Sequence, residues 1–171
     1  MSDEAPKAVA SGAVIAGVVP GQSPRVVREA ARYAALARVE LVVAHVDTTR
    51  FVAFEDPDGY VHPTTVDVAG AAARAALEEV ESAAADALAR SEVTWSVRQL
   101  IGDPALALID LADQIDASLL VVGTRKRGLG ETLREFLTGS VAARLTHRQH
   151  RPVLVVPLGE PVPIDQELVW D

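Results

Sequence analysis

Gly123 and the pair Gly139-Ser140 bracket a stretch whose residue types suit an anion. Ser140 can cap a helix running to about His147, and the first turn of a helix presents unpaired N–H groups and the positive end of its dipole. Gly139 permits close backbone approach, and Arg125-Lys126-Arg127 supplies charge. Together these suit a phosphate. The same residues also fit a plain helix start beside a solvated basic loop.

Other chemistry has less support. The chain has no cysteine, which excludes disulfides, thiolate metal sites and cysteine nucleophiles. No serine sits in a Gly-x-Ser-x-Gly elbow. His147 and His150 lie among Arg144, Arg148 and Arg151, poor company for a divalent ion, and read better as cations compensating a helix C-terminus. No metal site is expected. Asp110 and Asp113 lie at helical spacing and read as a solvated face. With no positioned base and no metal carboxylate identifiable, weak hydrolysis of a bound phosphate compound is the most that enzymatic activity would amount to.

These residues need elements to position them. Val14 to Val19 is an apolar run ended by Pro20-Gly21, of a length and composition that predict a strand buried on both faces. Ser23 is the expected N-cap of the following helix, with Pro24 at its first position. Val26, Val27, Ala30, Ala31, Ala34 and Ala37 recur at helical spacing. Leu41 to Val46 predicts a second strand. Residues 48–67 read as a long irregular excursion, and Val68 to Ala89 as an Ala-rich helix. Val93 to Ile101 alternates like a strand exposed on one side, hence an edge. Asp103-Pro104 marks a helix start, Leu119 to Val122 a fourth strand and Val153 to Val156 a fifth.

Strands alternating with helices imply crossover connections and a parallel sheet with helices on both faces. The organisation expected is a mobile tail over 1–10, one α/β domain over 11–158 and a C-terminal tail over 159–171. The apolar end of that tail, Leu168-Val169-Trp170, is suited to docking on a partner subunit. The 171 residues suffice for one domain, and 49% of them are apolar, so a core is available without staples. A formal charge of −8 argues against nucleic acid as a partner. No segment approaches a membrane span, and Met1 to Lys7 lacks a secretory pattern, so a cytoplasmic location is expected. In open α/β sheets ligands bind where strand order reverses. With order 3-2-1-4-5 that point lies between strands one and four, flanked by Val19 to Ser23 and by Gly123 to Ser140.

Val121-Val122-Gly123-Thr124-Arg125, Gly139-Ser140-Val141 and Arg151-Pro152-Val153-Leu154-Val155-Val156-Pro157 resemble the C-terminal half of universal stress proteins. Gly102-Asp103-Pro104-Ala105 and Ala44-His45-Val46 are similar to theirs as well, and the resemblance covers about residues 12 to 157. It implies a five-stranded parallel sheet of order 3-2-1-4-5 of the nucleotide-binding α-hydrolase-like kind. It also implies homodimers paired through the fifth strand and, in some members, bound ATP or AMP. The nucleotide binders close strand one with an Asp. They also carry a loop of Gly, two residues, Gly, nine residues, Gly, then Ser or Thr. Here Val18-Val19-Pro20-Gly21-Gln22 stands at the end of strand one, Lys126 replaces the second Gly, and fifteen residues separate Gly123 from Gly139. By position, Val46 carries over near the base, Gly123 at the loop start, and Gly139, Ser140 and Val141 at the phosphates, with Arg125 and Lys126 adding charge. The expected function is a stress-response binding module holding an adenine nucleotide or phosphate; the alternative is a dimeric interaction protein of the same fold that binds none.

Overall fold

The computed structural model describes residues 12–48, 63–124 and 140–159, with side chains in the second helix described from Gly70 onward. In chain order the elements are β1 (Ala13–Val18), α1 (Arg25–Ala37), β2 (Glu40–Asp47), α2 (Pro63–Leu88), β3 (Trp95–Ile101), α3 (Pro104–Gln114), β4 (Leu119–Gly123), α4 (Val141–Arg148) and β5 (Val153–Val156). The strands form one sheet in the order β3-β2-β1-β4-β5, and every pairing is parallel. β3 is therefore an edge, as its alternation predicts.

Strand side chains alternate between faces, so each central strand feeds two cores. On one face Val14, Ala16, Leu41, Val43 and Val121 pack against Val26, Ala30 and Ala34 of α1 and Val80 and Ala84 of α2. On the other, Ile15, Val42, Leu120 and Val122 pack against Ala105 and Leu108 of α3 and Leu145 of α4. The register sets Ile15 beside Val42 on one side and Leu120 on the other, so one layer of this core crosses three strands. The alanines along α1 let that helix lie close to the sheet.

Two expectations about helix starts need correction. Pro24, not Ser23, is the N-cap of α1, and no side chain caps this helix. The Ser23 hydroxyl still accepts from Arg25 N at 3.4 Å. Proline at this position brings no N–H of its own to satisfy. α2 begins at Pro63 rather than near Val68, so residues 63–67, read as irregular from their sequence, are helical. Proline at the first helical position is the signal that the Ala-rich composition overshadowed. The rest of that excursion, 49–62, lies outside the described residues, as do the 1–10 tail and Leu168-Val169-Trp170.

α3 starts as its sequence predicts. Asp103 is the N-cap, its carboxylate accepts from Ala105 N and Leu106 N, and Pro104 follows at the first helical position. α4 is capped by Ser140, whose hydroxyl accepts from Ala143 N at 3.1 Å. No helix among the described residues is long and apolar enough to cross a membrane.

Candidate functional site

The end of β1 turns sharply. Gln22 N donates to Val19 O at 3.2 Å, closing a four-residue turn with Pro20 and Gly21 at its centre. Gly21 has φ +68°, the left-handed value that the third position of a type II turn demands after proline. The Gln22 side chain folds back over this turn, and its Oε1 accepts from Val19 N at 3.0 Å.

Across the sheet the end of β4 meets the same turn. A Cβ on Gly123 would overlap Gln22 Nε2 and lie 2.6 Å from Leu158 Cδ1 and 3.1 Å from Val26 Cγ2. A side chain here would have to displace the Gln22 amide and a Leu158 methyl, so the constraint on this position is close approach rather than dihedral angles. The chain leaving β5 is tied to the same place: Thr124 N donates to Val156 O at 2.9 Å, and Leu158 N donates to the Thr124 hydroxyl oxygen at 2.8 Å.

Between these turns and α4 lies a cleft of about 740 Å³. It opens at the carboxyl ends of β1 and β4, the point where strand order reverses. Among its described lining residues no side chain carries a formal charge; polar atoms come from Gln22, Ser23, His45, Thr48, Thr124 and Ser140. The apolar part is formed by Val18, Val46, Leu108, Val122 and Val141. His45 is buried, with Nδ1 3.3 Å from Val18 O. A carbonyl oxygen only accepts, so this geometry assigns the proton to Nδ1 and leaves Nε2 as an acceptor in the neutral ring.

The rim is braced by charge. Arg144 Nη1 donates to Asp103 Oδ2 at 2.6 Å, joining the starts of α3 and α4. That bond, with the backbone N–H groups of the cap, holds the Asp103 carboxyl below the usual carboxylate range, against a smaller opposing effect of burial. Arg144 is held correspondingly above its ordinary value, first by the same bond. Away from the cleft, Arg151 donates to Asp113 Oδ1 and to Ala117 O, so Asp113 is exposed but paired.

Of the residues singled out from sequence, Val46, Gly123, Ser140 and Val141 all line the cleft. Arg125, Lys126 and Gly139 lie outside the described residues. Sequence reasoning placed the segments Val19 to Ser23 and Gly123 to Ser140 at this point but singled out none of Gln22, His45, Thr124 and Leu158 as a site residue. A histidine within an otherwise apolar buried strand is a signal that could have drawn attention to His45. Nothing local in the sequence marks Leu158. Among the described residues no three His, Asp or Glu side chains gather as a metal site.

A parallel sheet wound on both faces, with a ligand-sized opening at its switch point, defines a doubly wound α/β protein. A sequence profile of the universal stress protein family matches residues 13–157, and the chain belongs to that family. Among solved structures, a universal stress protein crystallised in complex with cAMP is 27% identical, with a TM-score of 0.60; the match covers 88% of this chain and 99% of that one. A universal stress protein family member from Burkholderia pseudomallei is 26% identical, with a TM-score of 0.56 and coverage of 89% and 99%. The universal stress protein from Archaeoglobus fulgidus shares the fold at 24% identity, with a TM-score of 0.57 and coverage of 85% and 97%. Stress response protein NhaX of Bacillus subtilis (strain 168) is 33% identical over 79 residues, 46% of each chain, so the match spans somewhat less than half of that relative.

Proposed function

We propose that the cleft between β1 and β4 holds an adenine nucleotide or another phosphate-bearing ligand, and that the protein acts as a stress-response binding module. The observation that carries this reading is the meeting of Gly123, the β1 turn and the Ser140-capped start of α4 around one cleft of about 740 Å³. That volume is within the range of small-molecule sites, roughly 300–1,000 Å³. The apolar side suits a base, and the helix start with the hydroxyls of Thr124 and Ser140 suits phosphate oxygens. The relative solved with cAMP supports the choice of an adenine nucleotide. Titration calorimetry with cAMP, AMP, ATP and inorganic phosphate tests it. Saturable heat with at least one nucleotide is expected, and no heat at millimolar concentrations of all four counts against it.

A dimeric interaction protein without nucleotide is the second reading. It is favoured by the end of β1, where Val18-Val19-Pro20-Gly21-Gln22 stands and no aspartate does. Pairing of two copies would use β5, an edge strand of the sheet whose Val155 side chain is exposed. Sedimentation velocity on the wild type and on Val155→Lys distinguishes a β5-mediated dimer, which the lysine would weaken, from a monomer.

A further inference from the structure

We infer that Gln22 sets which ligand atom the cleft accepts, by donating a side-chain N–H bond to an acceptor on the bound molecule. The inference rests on the reading of the cleft as a nucleotide or phosphate site. Pro20 and Gly21 turn the chain so that Gln22 returns over Val19, and its Oε1 accepts from Val19 N at 3.0 Å. That bond decides the orientation of the amide. An N–H cannot face an N–H, so the oxygen must take the Val19 side and the NH2 group the other.

The NH2 group stands directly over Gly123, in the place a side chain there would occupy, within the lining of the cleft. It offers two donors, and among the described residues neither has a protein acceptor. A half-buried donor left unmatched is costly, which favours a ligand that brings an acceptor atom to this point.

The consequence is a polarity opposite to that of an aspartate closing strand one. A carboxylate can only accept; the Gln22 amide, locked by Val19, can only donate toward the cleft. Val19 and Pro20 bring no side-chain acceptor to the end of β1. The cleft therefore selects a ligand that places a carbonyl oxygen, ring nitrogen, hydroxyl oxygen or phosphate oxygen beside Gly123, and discriminates against one that places an N–H there.

The test uses the full chain with cAMP as probe at pH 7.5. Gln22→Glu keeps the acceptor for Val19 N but exchanges the donors for a charged acceptor, and it should lower affinity about tenfold or more. Gln22→Met keeps the bulk and should lose less. In the nitrogen-15 spectrum, the Gln22 NH2 resonances, assigned by their disappearance in Gln22→Glu, should move downfield and exchange more slowly when cAMP is added. Thermal melts of both variants separate loss of fold from loss of binding. If cAMP binds wild type and Gln22→Glu alike and the NH2 resonances stay still, the role of Gln22 is overturned while the cleft reading stands. If cAMP, AMP, ATP and phosphate all fail to bind the wild type, both readings are overturned together.

Discussion

Arg144 Nη1 lies 2.6 Å from Asp103 Oδ2, while the other oxygen of the same carboxylate, Oδ1, accepts from Ala105 N and Leu106 N. One side chain thus caps α3 and ties α3 to α4 at the rim of the cleft, where Pro104, Ser140 and Val141 stand. Removing it breaks both functions at once. Asp103→Ala should cost about 1–2 kcal/mol of stability by urea denaturation, the upper range for a lost N-cap. Arg144→Ala leaves the cap and should cost less. The double variant should lose less than the sum of the single losses, since the bond can be broken only once.

The Asp103 carboxyl also makes stability depend on pH. Its folded-state pKa lies below the ordinary value, principally through the Arg144 bond. The stabilisation is therefore fully present above the unfolded carboxylate range, near pH 4, and is lost as pH falls through the depressed folded value. Between pH 7 and pH 3, wild type should lose more stability than Asp103→Asn, measured by urea midpoints. Equal losses would show that this carboxylate does not contribute to the acid response.

Gly123→Val fills space that Gln22 and Leu158 already occupy. The variant should lose about 1–3 kcal/mol by overpacking and should lose nucleotide binding by calorimetry. Binding retained at wild-type affinity would place the ligand elsewhere.

Leu145, on the sheet-facing side of α4, is fully buried in the core it shares with Leu120 and Leu108. Leu145→Ala should cost about 2–5 kcal/mol, because the cavity adds to the lost transfer energy. A loss within that range, read from denaturant melts, would establish that α4 is anchored by packing as well as by its Ser140 cap.

Arg38 closes α1 with φ +57°, a left-handed conformation in a residue with a Cβ. Its N–H reaches the Ala35 carbonyl at 3.2 Å, as a helix-ending motif requires. Arg38→Gly removes the steric cost, roughly 1–2 kcal/mol, and adds about 0.5–1 kcal/mol of backbone entropy loss. A small rise in the thermal midpoint is expected.

Most of the fold was legible because β1, β2, β4 and β5 carry short apolar runs, β3 alternates, and the helices show a stripe, a cap or an Ala-rich composition. Asp103-Pro104 announced α3 through local chemistry alone, since cap and first turn lie within four residues. The start of α2 was not legible in the same way: Pro63 pointed to a helix start, but the residues before the Ala-rich stretch offered no helical stripe. In the site, Gly123 and Ser140 were marked by residue type, a glycine ending a strand and a serine able to cap a helix, whereas Val46 and Val141 came from the resemblance to universal stress proteins. Gln22 was not, because its role depends on a turn that folds it onto a glycine 101 positions away.

The amino-acid sequence alone determined the alternation of strands and helices, the parallel sheet and the presence of a helix start capped by Ser140, all products of local patterns of apolar and capping residues. The tertiary structure decided which polar atoms face the cleft. Strand order brings the turn after β1 and the segment after β5 onto Gly123, and a single 3.0 Å bond from Val19 N orients the Gln22 amide. Such contacts join residues far apart in the chain, and neither composition nor spacing records which of two amide atoms will meet a backbone N–H.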